Sequence, residues 1–183
     1  MRIFEHAFDF APLEKLDTLC EALAVQGYGV LPDFLEENQA FSLFTELEQL
    51  HQEGKLHPSG VGRTAQFITE IRGDQIYWWE PTQPSLPQKD FWAILDALKT
   101  QVNRTLYLGI QYIECHYAWY PPGRFYEKHL DAFSGRTGRK LSFVYYLNPD
   151  WQASDGGQLR LYLPDKTEDI LPIWNQLVCF LSE

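Results

Sequence analysis

The chain has 183 residues, of which 45% are hydrophobic and 15% aromatic, and its formal net charge is −10. So many aromatic side chains exclude an intrinsically disordered chain, and the acidic balance argues against non-specific binding to nucleic acid or to an anionic membrane. No apolar run has the length of a transmembrane helix, and Glu5 and Asp9 stand where a secretion signal needs apolar residues. We therefore expect one domain, residues 1–183, with neither nucleic acid nor a membrane as partner.

Three cysteines, Cys20, Cys115 and Cys179, are scattered along the chain, and none belongs to a CxxC pair. Their number and spacing suggest neither a disulfide framework nor a zinc knuckle. Scattered thiols are typical of a reducing compartment, so a cytoplasmic location is expected. We interpret each thiol as a small buried hydrophobic group.

The first half of the chain carries the periodicity of helices. A first helix is expected from Pro12 to Gly27, because proline favours a helix start and glycine a helix end. A short strand at 28–31, a second helix at about 36–53 and a third at about 89–103 follow from the spacing of apolar residues.

The second half carries the pattern of strands. Segments rich in aromatic and β-branched residues lie at 106–119, 140–147, 158–163 and 177–181, and an extended segment is expected earlier at 67–71. Turn residues such as Pro, Gly, Asn and Asp separate them. Helices followed by several short strands indicate the α+β class, with helices supporting a sandwich, barrel or jelly roll.

His129 and Asp131 form the most informative pair of side chains. In an extended segment, residues two apart project from the same face, so this imidazole and this carboxylate are able to converge on one ion. They would supply two parts of the two-histidine, one-carboxylate triad that binds non-haem iron(II). The alternatives are an ion pair of Asp131 with Lys128 and a simple His–Asp hydrogen bond. His116 is a weaker candidate ligand, 13 residues before the pair.

Several strings around this pair form a more specific pattern. They are Ile71-Arg72-Gly73-Asp74, Tyr120-Pro121-Pro122-Gly123, Tyr145-Tyr146-Leu147-Asn148 with Trp151 behind it, and Gly156-Gly157 with Leu159-Arg160 after it. Together with His129 and Asp131, they resemble the prolyl hydroxylase branch of the iron(II)/2-oxoglutarate-dependent oxygenases. The closest likeness is to the oxygen-sensing prolyl hydroxylases and their bacterial counterparts. The likeness covers about 71–183 well and the first helices only loosely.

This resemblance implies a fold and an activity. The fold is a double-stranded β-helix, or jelly roll, at about 105–183, supported by helices at about 1–104. The activity is hydroxylation of a prolyl residue in a protein substrate, with succinate and carbon dioxide formed from 2-oxoglutarate. Its cofactors would be Fe²⁺, 2-oxoglutarate and L-ascorbate.

The resemblance also assigns roles to individual residues. Iron would be bound by His129 and Asp131, and 2-oxoglutarate would lie beside Tyr120 and Tyr146. We expect both tyrosines in one cavity with His129, and Tyr146 deeper because it lies inside a strand. The alternative for either tyrosine is core packing.

The loop at 71–76 would engage the protein substrate, with Arg72 facing it and Asp74 bridged to Arg139. An exposed ion pair of little energetic value is the alternative for that bridge.

One departure from the family pattern lies at the C-terminal end of the chain. Beyond the position of Ser182, the family has a second iron-binding histidine and then a 2-oxoglutarate-binding arginine. The sequence ends at Glu183 and contains neither of them at such a position. We interpret the chain as C-terminally shortened, with the last jelly-roll strands missing and a sheet edge exposed. Such a chain is expected to bind iron weakly and to show no turnover.

Two other functions remain open at this point. A jelly roll with exposed aromatic side chains could be a non-catalytic binding module for a peptide or a sugar; the candidate residues are Trp78, Trp79, Trp119 and Trp151. A jelly roll could also retain iron without turnover. A requirement for metal separates the binding module from the other two.

Overall fold

The structure, a computed structural model, describes residues 13–60, 71–131 and 138–182. Its helices are α1 (Leu13–Gln26), α2 (Glu37–Gln52) and α3 (Leu86–Leu106). The predicted helices are confirmed, and α1 ends at Gly27, whose φ of 78° is a left-handed value that glycine adopts at little cost. α3 begins earlier than predicted because Ser85 and Gln88 form a capping box at its start.

The strands pair antiparallel in three sheets. They are β1 (Tyr28–Leu31), β2 (His57–Pro58), β3 (Gln75–Trp78), β4 (His116–Trp119), β5 (Leu141–Tyr146), β6 (Leu159–Tyr162), β7 (Thr167–Ile170) and β8 (Gln176–Leu181). The sheet orders are β1-β8-β5, β2-β3-β4 and β6-β7. β8 therefore lies between a strand from near the start of the chain and a strand from its second half.

The sheet of β1, β8 and β5 is covered on both faces. Leu177 and Cys179 of β8 belong to the main core with α1, α2 and α3. Val178, between them, belongs to a second cluster with Leu161 and Ile170 of the β6-β7 hairpin. This alternation is that of a strand with two packed faces. It also places Tyr146 of β5 in the second cluster.

The predicted strand at 106–119 is wrong over most of its length. Only His116–Trp119 is a strand, because α3 continues to Leu106 and Tyr107 then takes a left-handed φ of 56°. The Asn103 side chain then forms two hydrogen bonds with the backbone of Ile110. Its oxygen accepts from the Ile110 amide at 2.7 Å, and its nitrogen donates to the Ile110 carbonyl at 2.8 Å. The intervening chain is therefore fixed against the end of α3 and does not enter a sheet.

The part before 104, expected to be mainly helical support with a short strand at 28–31, contributes more strands than expected. β1, β2 and β3 lie in the first part, and β1 and β3 pair with β8 and β4 of the second. β7 was missed as well, since its sequence is largely polar. The extended segment expected at 67–71 lies mostly outside the described residues.

Asn175 connects distant parts of the fold. Its side-chain amide donates to the Leu35 carbonyl at 2.8 Å, and its side-chain carbonyl accepts from the Leu35 amide at 2.9 Å and the Tyr145 hydroxyl at 2.7 Å. The residue is buried and has a left-handed φ of 56°. The segment before α2 is thus attached to β5 and to the turn before β8.

The three thiols of Cys20, Cys115 and Cys179 are free and buried, as expected, and burial raises the pKa of Cys115 to about 12. Within the described ranges, no helix has both the length and the apolar character that crossing a bilayer requires.

Candidate active site

The His129–Asp131 segment is irregular, although the sequence suggested an extended one. Its start is fixed to the loop before β3: Tyr126 forms an isolated antiparallel bridge with Arg72, and the Glu127 amide donates to the Ile71 carbonyl at 2.8 Å. The chain then turns, and His129 Nε2 lies 3.1 Å from Asp131 Oδ1. The expected convergence of these two side chains is therefore present, outside the named strands.

Local contacts fix the orientation of the His129 ring. Nδ1 lies 2.8 Å from the Glu127 carbonyl, an acceptor, so Nδ1 carries the proton and donates it. Tyr126 stacks on the imidazole with ring centroids 3.6 Å apart, and the Arg72 guanidinium lies over the Tyr126 ring, 4.5 Å from its centroid. When His129 is neutral, its proton therefore stays on Nδ1. In that state Nε2 presents its lone pair towards Asp131.

Asp131 is held by a different set of contacts. The Ser142 hydroxyl of β5 donates to Oδ2, and Arg139 Nη1 donates to the Asp131 backbone carbonyl at 3.3 Å. Burial alone would raise the pKa of Asp131, but hydrogen bonds from His129 and Ser142 outweigh it and hold the pKa below its ordinary value. The hydrogen bond between His129 and Asp131 also raises the pKa of His129, and burial opposes this effect.

The donor atoms of His129 and Asp131 fit a shared divalent cation. Ligands on adjacent corners of an octahedron, with bonds of about 2.1 Å, lie about 3 Å apart, which matches the 3.1 Å between Nε2 and Oδ1. A histidine whose other nitrogen donates to a carbonyl is typical of metal ligands. Among the described residues, no group of three His, Cys, Asp or Glu side chains could hold a metal ion. The pair therefore offers two ligands, and the candidate His116 does not complete the set.

His116 lies on β4 instead, with its side chain partly exposed to solvent. Desolvation by the protein atoms around it, and secondarily the charge of Arg72, lowers its pKa to about 4. Its ring contacts the exposed indole of Trp78, its partner across β3 and β4, with centroids 4.7 Å apart.

Tyr120 and Tyr146 approach each other from different sheets. Tyr120 follows β4 and is 47% exposed, whereas Tyr146 is half-buried at the end of β5. Burial, and secondarily the proximity of Tyr120, raises the pKa of Tyr146. The predicted order of depth is therefore present, but Tyr146 is the last residue of its strand and not an interior one.

The predicted bridge between Asp74 and Arg139 is wrong. Arg72 Nε and Nη2 donate to the two carboxylate oxygens of Asp74, at 2.7 and 3.0 Å, and the Ser59 hydroxyl donates to Oδ1 as well. Arg72 is only two residues away in the same loop, so a short local contact satisfies the carboxylate. Arg139 lies instead beside Asp131.

Replacing Asp74 with Asn is expected to lower the free energy of unfolding by about 2 kcal/mol at neutral pH, since a buried charged hydrogen-bond acceptor is lost. Burial would raise the pKa of Asp74, but hydrogen bonds from Arg72 and Ser59 lower it below 3.8. The unfolded chain therefore takes up the proton first as the pH falls. The stabilisation is complete above about pH 5 and is lost as the pH falls through the folded-state pKa.

Urea denaturation at pH 7 and at pH 3 measures this effect, and the variant should differ from the parent less at the lower pH. Asp169→Asn is the matched control, because Asp169 forms a bidentate pair with Arg160 on the surface, at 2.6 and 2.7 Å. Equal losses from the two substitutions would contradict a stabilising role for the buried pair.

Comparison with known proteins places this geometry in a family. Residues 115–183 match the model of the 2OG-Fe(II) oxygenase superfamily. The crystal structure of a Pseudomonas putida prolyl-4-hydroxylase superposes with a TM-score of 0.83 and 40% sequence identity, over 91% of this chain and 87% of that one. The chain belongs to the prolyl hydroxylases of the 2OG-Fe(II) oxygenase superfamily.

Other prolyl hydroxylases are similar over most of this chain. A Trichoplax adhaerens prolyl hydroxylase, solved in complex with a peptide of the hypoxia inducible factor oxygen degradation domain, superposes with a TM-score of 0.82 and 29% identity, over 91% of this chain and 78% of that one. Human Egl nine homolog 1 is 30% identical over 92% of this chain, which spans 41% of that relative's length. The predicted α+β class and jelly-roll fold of a prolyl hydroxylase are thereby confirmed.

Two side chains of this prolyl hydroxylase site were missed from the sequence. Tyr126 precedes His129 by three residues, and aromatic residues are too common in the segment to single it out. Ser142 shares a face of β5 with Tyr146 by strand alternation, a signal that could have found it. Neither position carries a residue type that by itself suggests metal chemistry.

Proposed function

We propose that this protein is an iron(II)- and 2-oxoglutarate-dependent dioxygenase that hydroxylates a prolyl residue in a protein substrate. The observation that carries the proposal is the His129–Asp131 pair, whose donor atoms converge at 3.1 Å with the histidine tautomer fixed by the Glu127 carbonyl. When bound, iron and 2-oxoglutarate would supply the oxidising chemistry with dioxygen as the oxidant: one oxygen atom enters the substrate, and the other enters the succinate that forms as 2-oxoglutarate loses carbon dioxide.

The residues of the pair hold the metal and fix its position relative to the sheet. His129 provides one nitrogen, and Asp131 provides one carboxylate oxygen while its other oxygen is held by Ser142. The resemblance calls for a further histidine, and residues 132–183 contain none.

Tyr146 and Tyr120 would contact 2-oxoglutarate. Tyr146 is the less exposed of the two tyrosines, and its hydroxyl has no hydrogen-bond partner among the described residues, so it is available to a carboxylate. The placement of Tyr120 near the rim suits a contact with the metal-proximal end of the cosubstrate.

Replacing Tyr146 with Phe removes only this hydroxyl. We expect the 2-oxoglutarate concentration for half-maximal succinate formation to rise about fivefold, the equivalent of one hydrogen bond of about 1 kcal/mol. Tyr112→Phe is the control, because Tyr112 is exposed and lies outside the site. An unchanged half-maximal concentration in Tyr146→Phe would remove Tyr146 from the cosubstrate site.

The substrate would pass over the loop before β3. Arg139 is an exposed cation beside Asp131, and Arg72 is half-buried and held by the buried Asp74 in that loop. The Trichoplax relative was solved with a peptide, which supports a protein segment containing the target proline as the substrate. Residues 1–183 would form a single oxygenase domain working in the cytoplasm, with ascorbate keeping iron reduced.

The test is succinate formation from 2-oxoglutarate, with iron, ascorbate and a proline-containing peptide supplied. It is run on the 183 residues and on the same chain continued along its reading frame. Peptide-dependent succinate with a mass gain of one oxygen atom on proline supports the proposal. Peptide binding without a metal requirement, and without succinate from either chain, would support a binding module instead.

A further inference from the structure

The two carboxylate oxygens of Asp131 have different partners. Oδ1 lies 3.1 Å from His129 Nε2, whereas Oδ2 accepts a hydrogen bond from the Ser142 hydroxyl. The Ser142 oxygen also lies 2.9 Å from the Ser182 hydroxyl oxygen.

The direction of these bonds follows from the number of available protons. A carboxylate only accepts, and the Ser142 hydroxyl has a single proton, so Ser142 donates that proton to Asp131. The contact between the serines is then donated by Ser182. The three residues form a one-way chain, from Ser182 to Ser142 to Asp131.

Strand pairing holds this chain in place. Ser142 lies opposite Phe180 in the β5-β8 register, and Ser182 is two residues beyond Phe180 on the same face. The Ser182 amide also donates to the Lys140 carbonyl at 3.1 Å, which continues the pairing past the end of β8. Ser182 is buried, so its hydroxyl has little access to competing water.

We propose that Ser142, supported by Ser182, is a positioning residue that makes Asp131 bind the metal through Oδ1 alone. The hydrogen bond from Ser142 occupies a lone pair of Oδ2 and leaves Oδ1 as the oxygen that faces His129 Nε2. Without that bond, the carboxylate is free to rotate, and its donor atom is no longer fixed opposite His129 Nε2. This inference rests on the proposed function, because it takes His129 and Asp131 as the metal ligands.

The test is titration of the metal-free chain with Co²⁺, following the ligand-field absorption of the bound ion. Ser142→Ala should weaken Co²⁺ binding about tenfold, as substitutions of partners that orient a metal ligand do, and should change the shape of the spectrum. Ser142→Thr retains the hydroxyl and should restore both. Ser42→Ala is the matched control, since its hydroxyl donates to the Asn38 carbonyl on the exposed side of α2. Thermal unfolding of each variant verifies that the fold is retained.

The one-way chain is tested by a double-mutant cycle. Ser182→Ala should weaken Co²⁺ binding less than Ser142→Ala does, and the double variant should bind no more weakly than Ser142→Ala. Unchanged binding by Ser142→Ala, or losses that multiply in the double variant, would overturn the inference. If the unaltered chain binds no Co²⁺, the metal pair of the proposed function fails, and this inference fails with it.

Discussion

Asp131→Ala is expected to weaken the binding of a divalent cation by more than about 100-fold. His129→Ala should have the same effect. Substituting the partners that merely orient a ligand costs about 10–100-fold in metal affinity. In the proposed function Asp131 and His129 supply donor atoms themselves, and the described residues contain no group of three possible metal-binding side chains that could replace them. Calorimetric titration of the metal-free chain with Mn²⁺ or Co²⁺ measures the loss.

A histidine outside the site provides the control for this experiment. His51, at the end of α2, stacks on Trp119 with ring centroids 4.2 Å apart. By strand alternation, Trp119 lies on the opposite face of β4 from His116. His51→Ala should leave metal affinity unchanged. Affinities that are equal in His51→Ala and Asp131→Ala would place the cation elsewhere and end the oxygenase interpretation.

Replacing Asn175 with Ala is expected to lower the free energy of unfolding by about 4 kcal/mol. Three buried groups lose their partners, namely the amide and carbonyl of Leu35 and the hydroxyl of Tyr145. Each such group costs about 1 kcal/mol or more when it is left unsatisfied. Alanine also disfavours the left-handed backbone, by about 1 kcal/mol.

Two further variants separate the contributions. Asn175→Gly keeps the left-handed backbone but lacks the hydrogen bonds, so we expect a smaller loss of about 3 kcal/mol. Asp33→Ala isolates the backbone term, since Asp33 is exposed and has a φ of 47°. Urea denaturation curves give all three values. A loss in Asn175→Ala no larger than that in Asp33→Ala would show that the hydrogen bonds contribute nothing.

Patterns of hydrophobic residues were sufficient to predict the three strands β1, β5 and β8, but not their pairing in one sheet. β1, β5 and β8 lie where short apolar runs lie between turn residues, because a strand covered on both faces needs apolar side chains along its length. The segment 107–115 has similar composition and is not a strand. The contacts of Asn103 with Ile110 decide its path, and hydrophobicity carries no signal for them.

Part of the candidate site could likewise be predicted from the sequence, and part could not. The spacing of His129 and Asp131 was enough to predict that they converge, since few conformations separate residues so close in sequence. The partner of Asp74 was not predictable in this way. Two arginines, Arg72 and Arg139, were available to it, and the choice depends on the path of a loop. The contribution of Ser142 depends on the register between β5 and β8, which sequence patterns leave open.

The central place of β8 has a consequence for how the protein is made. Among the described residues, β8 is the sole pairing partner of β5, which carries Ser142 and Tyr146. β8 is likewise the partner of β1, so neither strand can pair before β8 has been made. A ribosome releases β8 about 30 residues after β5 has emerged, and synthesis proceeds at about 5–20 residues per second. During that interval Ser142 is not yet paired through β8 with Ser182. Under the proposed role of Ser142, a growing chain would present a less well oriented Asp131 carboxylate to a metal ion until β8 has been synthesised and paired.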